Sequence, residues 1–148
     1  MLGHCDVGIV GGGAAGFFAA LSAAAVRSDA RIVIIERSDK LLSKVLISGG
    51  GRCNVTHDCK DPKQLIEFYP RGKDFLATGF DYFAVKDTLA WFRERGVKLK
   101  TEADGRMFPI TDKSETIANC LKNEAKAMGI EIISKCGARY IQKEENGF

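Results

Sequence analysis

The stretch Val7-Gly8-Ile9-Val10-Gly11-Gly12-Gly13-Ala14-Ala15-Gly16 decides the fold. Its first residues are a short apolar run, starting after Asp6, that ends abruptly at three glycines, the pattern of a buried strand. From Ala14 to about Arg27 the chain is rich in alanine, a strong helix former with little bulk. Such a helix can lie close against a sheet. Arg31 to Glu36 (RIVIIE) is β-branched and apolar, a second buried strand expected to run parallel to the first. Together they predict a βαβ unit of about 35 residues with a right-handed crossover.

Inside that unit, Gly11-x-Gly13-x-x-Gly16 follows a strand and opens a helix. In such a loop the first glycine makes the tight turn and the second lets the backbone approach a pyrophosphate. The third allows close packing of helix on strand. The helix start adds free N–H groups and the positive end of its dipole. Glu36 closes the second strand, where a carboxylate can accept two hydrogen bonds from a ribose diol. It would repel a 2′-phosphate, which disfavours NADP at this position. The same pattern also fits a plain glycine-rich turn followed by a surface acid, and it does not separate FAD from NAD.

A second glycine triplet lies in Lys44-Val45-Leu46-Ile47-Ser48-Gly49-Gly50-Gly51-Arg52-Cys53-Asn54-Val55-Thr56. Three glycines leave backbone N–H groups uncovered, Arg52 brings a fixed charge, and Asn54 offers both donor and acceptor. The loop suits phosphates, or the ribityl and ring edge of a long cofactor. A merely flexible loop is the plainer alternative.

Composition removes several function classes. The 148 residues are 45% hydrophobic and 28% charged, close to soluble globular averages, which excludes disordered and collagen-like chains. Twenty-two Lys and Arg against 19 Asp and Glu give +3, with the signs interspersed. That argues against a nucleic-acid footprint or a membrane-surface patch. The longest apolar run, Ala14 to Val26, is too short to span a bilayer, and its Asp6 flank makes a poor signal peptide. Five cysteines (Cys5, Cys53, Cys59, Cys120, Cys136) form neither a CxxC pair nor a zinc pattern, so no metal site is expected. Their odd number points to free thiols in a reducing cytoplasm.

Further along, Val85 to Arg95 predicts a helix stopped at Gly96, and Val97 to Lys100 alternates like a strand. Asp104-Gly105 predicts a hairpin turn into Met107-Phe108-Pro109. A helix is expected over about Lys113 to Met128, with Asp112 as cap and Glu115 completing a capping box. Ile117, Leu121, Ala125 and Met128 form its stripe and Gly129 its stop. Ile130 to Ile133 reads as a third sheet strand and Ala138 to Gln142 as a fourth. Asn146-Gly147-Phe148 reads as a turn into one more. Residues 57 to 83 give no clear periodicity.

GGGAAG at 11–16, Glu36-Arg37, KVLISGGGRCNVTH at 44–57, and Asp104 to Pro109 ahead of a helix together resemble the BaiN-like (YhiN-like) flavoprotein oxidoreductases. The resemblance covers almost the whole chain. It implies an α/β, Rossmann-like three-layer FAD/NAD(P)-binding fold of the glutathione-reductase type. Residues 1–148 would be the N-terminal part of that domain, the rest of it and a substrate domain lying outside the chain. FAD is the implied cofactor, with hydride transfer through the flavin, NAD(P)H as electron donor, and an activated C=C bond in a small molecule as the group reduced. Carried over by position, Gly11, Gly13, Ala14, Ala15 and Gly16 hold the pyrophosphate, and Glu36 the ribose with Arg37 beside it. Gly49, Gly50, Gly51, Arg52, Cys53 and Asn54 approach the flavin side, and Ala138 contacts the adenine.

The family pattern often has glycine where this chain has Leu42, so the local turn is expected to differ. Catalytic acid and base are not assigned, although His57 is close enough in sequence to serve beside the flavin. Arg106 to Pro109 would either wall the flavin or form a buried hairpin arm. Two other functions fit parts of the sequence. One is a non-catalytic dinucleotide-binding module, with a separate C-terminal complement if the protein is split. The other is a dithiol–disulfide flavoprotein reductase using Cys53 and Cys59. Relatives of the glutathione-reductase kind space that pair by four residues and this chain by five. Six positions on a helix turn two side chains about 240° apart, which is poor disulfide geometry.

Overall fold

A computed structural model describes residues 3–145 and 147 of the chain. In chain order the elements are β1 (Val7–Val10), α1 (Ala14–Val26), β2 (Ile32–Ile35), α2 (Ser43–Ile47), β3 (Thr56–His57), α3 (Pro62–Glu67), α4 (Lys73–Tyr82), α5 (Val85–Glu94), β4 (Leu99–Thr101), β5 (Arg106–Pro109), α6 (Ser114–Ala127) and β6 (Glu131–Ile133). They group into two compact units, residues 1–45 with 121–148, and residues 46–120.

The first unit is a parallel sheet in the order β1-β2-β6, with Ile9 opposite Ile34 and Ile34 opposite Ile132. β2 is the middle strand, which explains its unbroken apolar sequence: Ile32, Val33 and Ile34 are all buried. α1 buries Phe17, Ala20, Leu21 and Ala24, spaced as one helical face. Each large side chain so buried contributes about 1.5–3 kcal/mol of transfer free energy. The expected βαβ unit is therefore present, with both strands parallel.

The second unit carries a small antiparallel sheet in the order β3-β5-β4. β5 is its centre, and Met107, Phe108 and Pro109 are buried in it. The segment without clear periodicity contains two helices. Asp61-Pro62 starts the first: the Asp61 carboxylate accepts from Lys63 N at 2.9 Å, and Pro62 occupies the first turn, where no N–H is needed. α4 follows, and α5 begins where Asp87 Oδ2 accepts from Ala84 N at 2.8 Å. Cys59, Leu65 and Val85 form a buried cluster there, flanked by Phe80 and Leu89.

Three expectations need correction. Asp112 does not cap α6. The helix starts at Ser114, Asp112 sits at φ 52°, and its carboxylate pairs instead with Lys100 and lies near Arg52. Met128 lies beyond the helix and is 38% exposed, although Ile117, Leu121 and Ala125 are buried as expected. Residues 138–142 form no strand: after β6 the chain is exposed and irregular, lacking the buried apolar alternation that would seat it on a sheet. At the C-terminal end Glu144 N donates to Gly147 O, while Asn146 and Phe148 of the expected turn lie outside the described residues.

Candidate functional site

The first glycine loop is built by backbone geometry. Gly11, at φ 110°, donates its N–H to Ile35 O at 2.8 Å, carrying the β1–β2 ladder one step beyond the strands. Gly13 is the N-cap of α1 and has open space where a side chain would sit. Gly16 has none: a Cβ there would run into Gly11 O. No side chain caps α1 and no acid occupies its first turn, so the N–H groups at Ala14, Ala15 and Gly16 face outward with the positive end of the dipole. A loop whose middle glycine is open and whose helix start is uncapped can take an anion against its backbone.

Two residues outside the expected set complete this loop. Gly12 is buried, and a Cβ on it would sit 2.7 Å from Leu41 Cδ2 and 3.1 Å from Glu36 Cβ. Its carbonyl accepts from Leu42 N at 2.8 Å. Leu42 itself is buried and adopts φ 56°, the left-handed conformation that a glycine would take without cost. Leucine is thus held here in the backbone geometry that glycine favours. The GxGxxG pattern treats Gly12 as a free position, which is why it was missed.

Glu36 is more engaged than its ribose role requires. Oε2 accepts from Gly12 N at 2.7 Å, and Oε1 accepts from Ser38 N at 2.8 Å and Ser38 Oγ at 3.0 Å. The Ser38 and Gly12 N–H groups hold its carboxyl below the usual carboxylate range. Oε1 has both lone pairs engaged by Ser38, while Oε2 keeps one for a ribose hydroxyl. Alongside, Glu36 O accepts from Cys136 N and Glu36 N donates to Ile133 O. Arg37 lies beside Gly137, whose missing side chain would touch Arg37 Cγ at 3.3 Å. Ala138, the next residue, is therefore brought to the same end of the sheet.

The second triplet differs in kind. Gly49, Gly50 and Gly51 have φ of 55°, 67° and 85°, a left-handed turn closed by Cys53 N donating to Ser48 O at 3.0 Å. Gly50 and Gly51 face open space, whereas a Cβ on Gly49 would meet Phe108 Cε1 at 2.8 Å. Arg52 and Asn54, expected to face the cofactor, are tied to the protein. The Arg52 guanidinium lies 4.0 Å over the Phe108 ring and pairs with Glu102. Asn54, with its amide nitrogen turned inward, donates to Thr56 O at 2.9 Å and Met107 O at 3.2 Å. Ser48–Gly51 form a short 3-10 turn, and Gly50 and Gly51 keep open space where side chains would sit.

None of the five cysteines is joined in a disulfide. Cys53 is buried, and burial pushes its thiol up. Cys59 packs with Leu65 and Val85 and donates to Asp61 O at 3.5 Å. Packing accounts for both, and the dithiol reading draws no support from them. His57 stacks on Phe68 at 5.0 Å and donates from Nε2 to Asp104 O at 3.1 Å, leaving buried Nδ1 without a partner. It lines a cavity of about 440 Å³ with Cys59, Asp61 and Phe68. Buried Met107, Phe108 and Pro109 make this stretch of β5 a packed hairpin arm. Among the described residues no group of three or more metal-ligating side chains occurs, and no helix is long and apolar enough to cross a membrane.

A parallel β1-β2-β6 sheet, a GxGxxG turn into an uncapped helix, and an acid ending β2 define a Rossmann-like dinucleotide-binding fold. The chain belongs to the family described as the HI0933-like protein Rossmann domain, which matches residues 5–148. It is similar to a 3-dehydro-bile acid delta(4,6)-reductase of Clostridium scindens, 28% identical over 96% of this chain and 34% of that protein. A ribosomal RNA dihydrouridine synthase of Escherichia coli is also 28% identical, over 97% of this chain and 34% of that protein. The chain thus spans about a third of the length of these relatives. Thermovibrio ammonificans THI4 shares the fold with a TM-score of 0.62 and 17% identity, covering 97% of this chain and 43% of that one.

Proposed function

We propose that the chain binds FAD and serves an oxidoreductase that reduces a C=C bond conjugated to a carbonyl, with NAD(P)H as electron donor. The observation that carries the FAD reading is the β1–α1–β2 geometry: an open Gly13, an uncapped α1 and a Glu36 carboxylate at one end of the sheet. FAD, when bound, supplies a two-electron hydride carrier. The chain's residues bind and orient it. Gly11, Gly13 and the N–H groups of Ala14, Ala15 and Gly16 hold the pyrophosphate, Glu36 the ribose, and Arg37 and Ala138 flank the adenosine. The Gly49–Gly51 turn meets the flavin side.

The reaction class is supported by what two relatives' names share. A delta(4,6)-reductase of a 3-dehydro bile acid and a dihydrouridine synthase both act on a double bond conjugated to a carbonyl. Interspersed charge at +3 favours a small-molecule substrate over a nucleic acid, and five cysteines without a disulfide suit the cytoplasm.

The test is a visible absorption spectrum of the purified chain after FAD addition and removal of excess. A retained flavin band is expected, and its bleaching by NADH or NADPH would support the donor. Reoxidation is then compared with a 3-keto-4-ene steroid and a uridine-containing RNA. Turnover of the steroid alone supports a small molecule, and turnover of the RNA alone overturns that part. A colourless protein contradicts the FAD reading for this chain.

A further inference from the structure

Arg52 is placed where a free cation beside a cofactor is expected, yet its charge is consumed within the second unit. Its Nη1 pairs with Glu102 Oε1 and lies 3.6 Å from Asp112 Oδ1, and Nη2 is 3.5 Å from Glu102 Oε2. The guanidinium plane covers the Phe108 ring at 4.0 Å, and Phe108 is fully buried. A planar fork that engages a carboxylate and stacks on an aromatic ring is specific to arginine. The two acids come from the hairpin, Glu102 just after β4 and Asp112 three residues beyond β5. Asp112 also pairs with Lys100, and Arg106 Nη2 lies 3.9 Å from Glu102.

These contacts converge on the turn that ends at Arg52. Phe108 is the same ring that fills the space beside Gly49, so one side chain packs against both ends of the left-handed segment. From the other side, Val55 N donates to Met107 O at 2.9 Å, and Asn54 reaches the same carbonyl. Successive left-handed residues are costly to hold unless their ends are fixed, because glycine loses more backbone freedom on ordering than any other residue. The surroundings supply that fixing through Arg52.

We infer that Glu102, Asp112 and Phe108 are positioning residues: they clamp Arg52 and thereby hold the Gly49–Gly51 turn preformed, so that the uncovered glycine backbone, and not the guanidinium, is what it offers to a cofactor. This rests on the FAD reading for the identity of the cofactor, but the clamp itself is testable without one. The negative charge on Glu102 and Asp112 offsets Arg52 locally, so the guanidinium is not free to serve a ligand.

The experiment is amide hydrogen exchange of residues 49–54 in the unliganded chain, with α1 amides as internal control, followed by FAD titration read by flavin fluorescence. Glu102→Ala should raise exchange in the turn at least tenfold, leave α1 unchanged, and weaken FAD binding at least tenfold. Glu102→Gln keeps an acceptor oxygen and should restore exchange to within about threefold of the parent. Arg52→Lys keeps the charge but loses the fork and stacking, and should behave like Glu102→Ala. Unchanged exchange in Glu102→Ala and Arg52→Lys would overturn the clamp. Faster exchange with unaltered FAD affinity would overturn its link to the cofactor. If the parent chain binds no FAD, that result counts against the functional reading, and the exchange data still decide the clamp.

Discussion

The two glycine triplets look alike in sequence and do opposite jobs. In the first and the Gly16 that follows it, glycine makes room: only Gly11 has a positive φ, a Cβ on Gly16 would strike the Gly11 carbonyl, and one on Gly12 would press on Leu41. In the second, glycine supplies handedness: all three residues are left-handed, and Gly50 and Gly51 have nothing near them. The lesson is that a glycine's cost of replacement is set by steric clearance in one loop and by backbone conformation in the other. Side-chain bonding divides them further. Glu36 ties the first loop through backbone N–H groups, whereas Arg52 ties the second through an aromatic ring and a carboxylate.

The largest effect should break the first loop. Gly16→Ala places a Cβ against Gly11 O, and urea unfolding should show a loss of about 3 kcal/mol or more. A loss below about 1 kcal/mol would mean the helix can withdraw from the loop, and that clearance is not the reason for glycine here. Leu42 offers a crossed test, because it combines a buried side chain with a left-handed backbone. Leu42→Ala should cost about 2 kcal/mol or more from the cavity. Leu42→Gly should be the more stable of the two variants by about 1 kcal/mol, reversing the usual ranking. In the second triplet, Gly50→Ala should cost about 1 kcal/mol from handedness alone, by the same denaturation assay. Gly49→Ala should cost more, since Phe108 adds crowding.

The smallest effect is one of pH. The native carboxyl of Glu36 is held below its ordinary value, so its bonds to Gly12 and Ser38 contribute at neutral pH. That contribution is lost as pH falls below the usual carboxylate range and through the depressed native value. Glu36→Gln should therefore flatten part of the acid side of the stability–pH curve. An unchanged curve would show that the carboxylate does not hold the loop.

Much of this was legible in the sequence where pattern and packing agree. β1, α1 and β2 follow from apolar runs punctuated by glycine, and β5 from the Asp104-Gly105 turn. Other features depend on partners distant in sequence. Asp112 looked like a helix cap by spacing, but Lys100 and Arg52 draw its carboxylate away. Arg52 and Asn54 looked free because nothing nearby in sequence shows that β5 would occupy them. Asp61-Pro62 carries a helix-start signal, but it stands in a stretch with no apolar periodicity to extend it into a helix. Gly12 and Ser38 complete the Glu36 site only through contacts across the fold, and a spacing motif contains no information about them.

The central claim is that the β1–α1–β2 end of the sheet holds FAD, with Glu36 on its ribose. An equilibrium FAD titration of the parent chain and of Glu36→Ala, followed by flavin fluorescence at neutral pH, tests it most directly. The account predicts saturable binding by the parent and at least tenfold weaker binding by the variant, with the folded signal retained. Equal affinity in the two proteins would contradict the placement of the adenosine at Glu36.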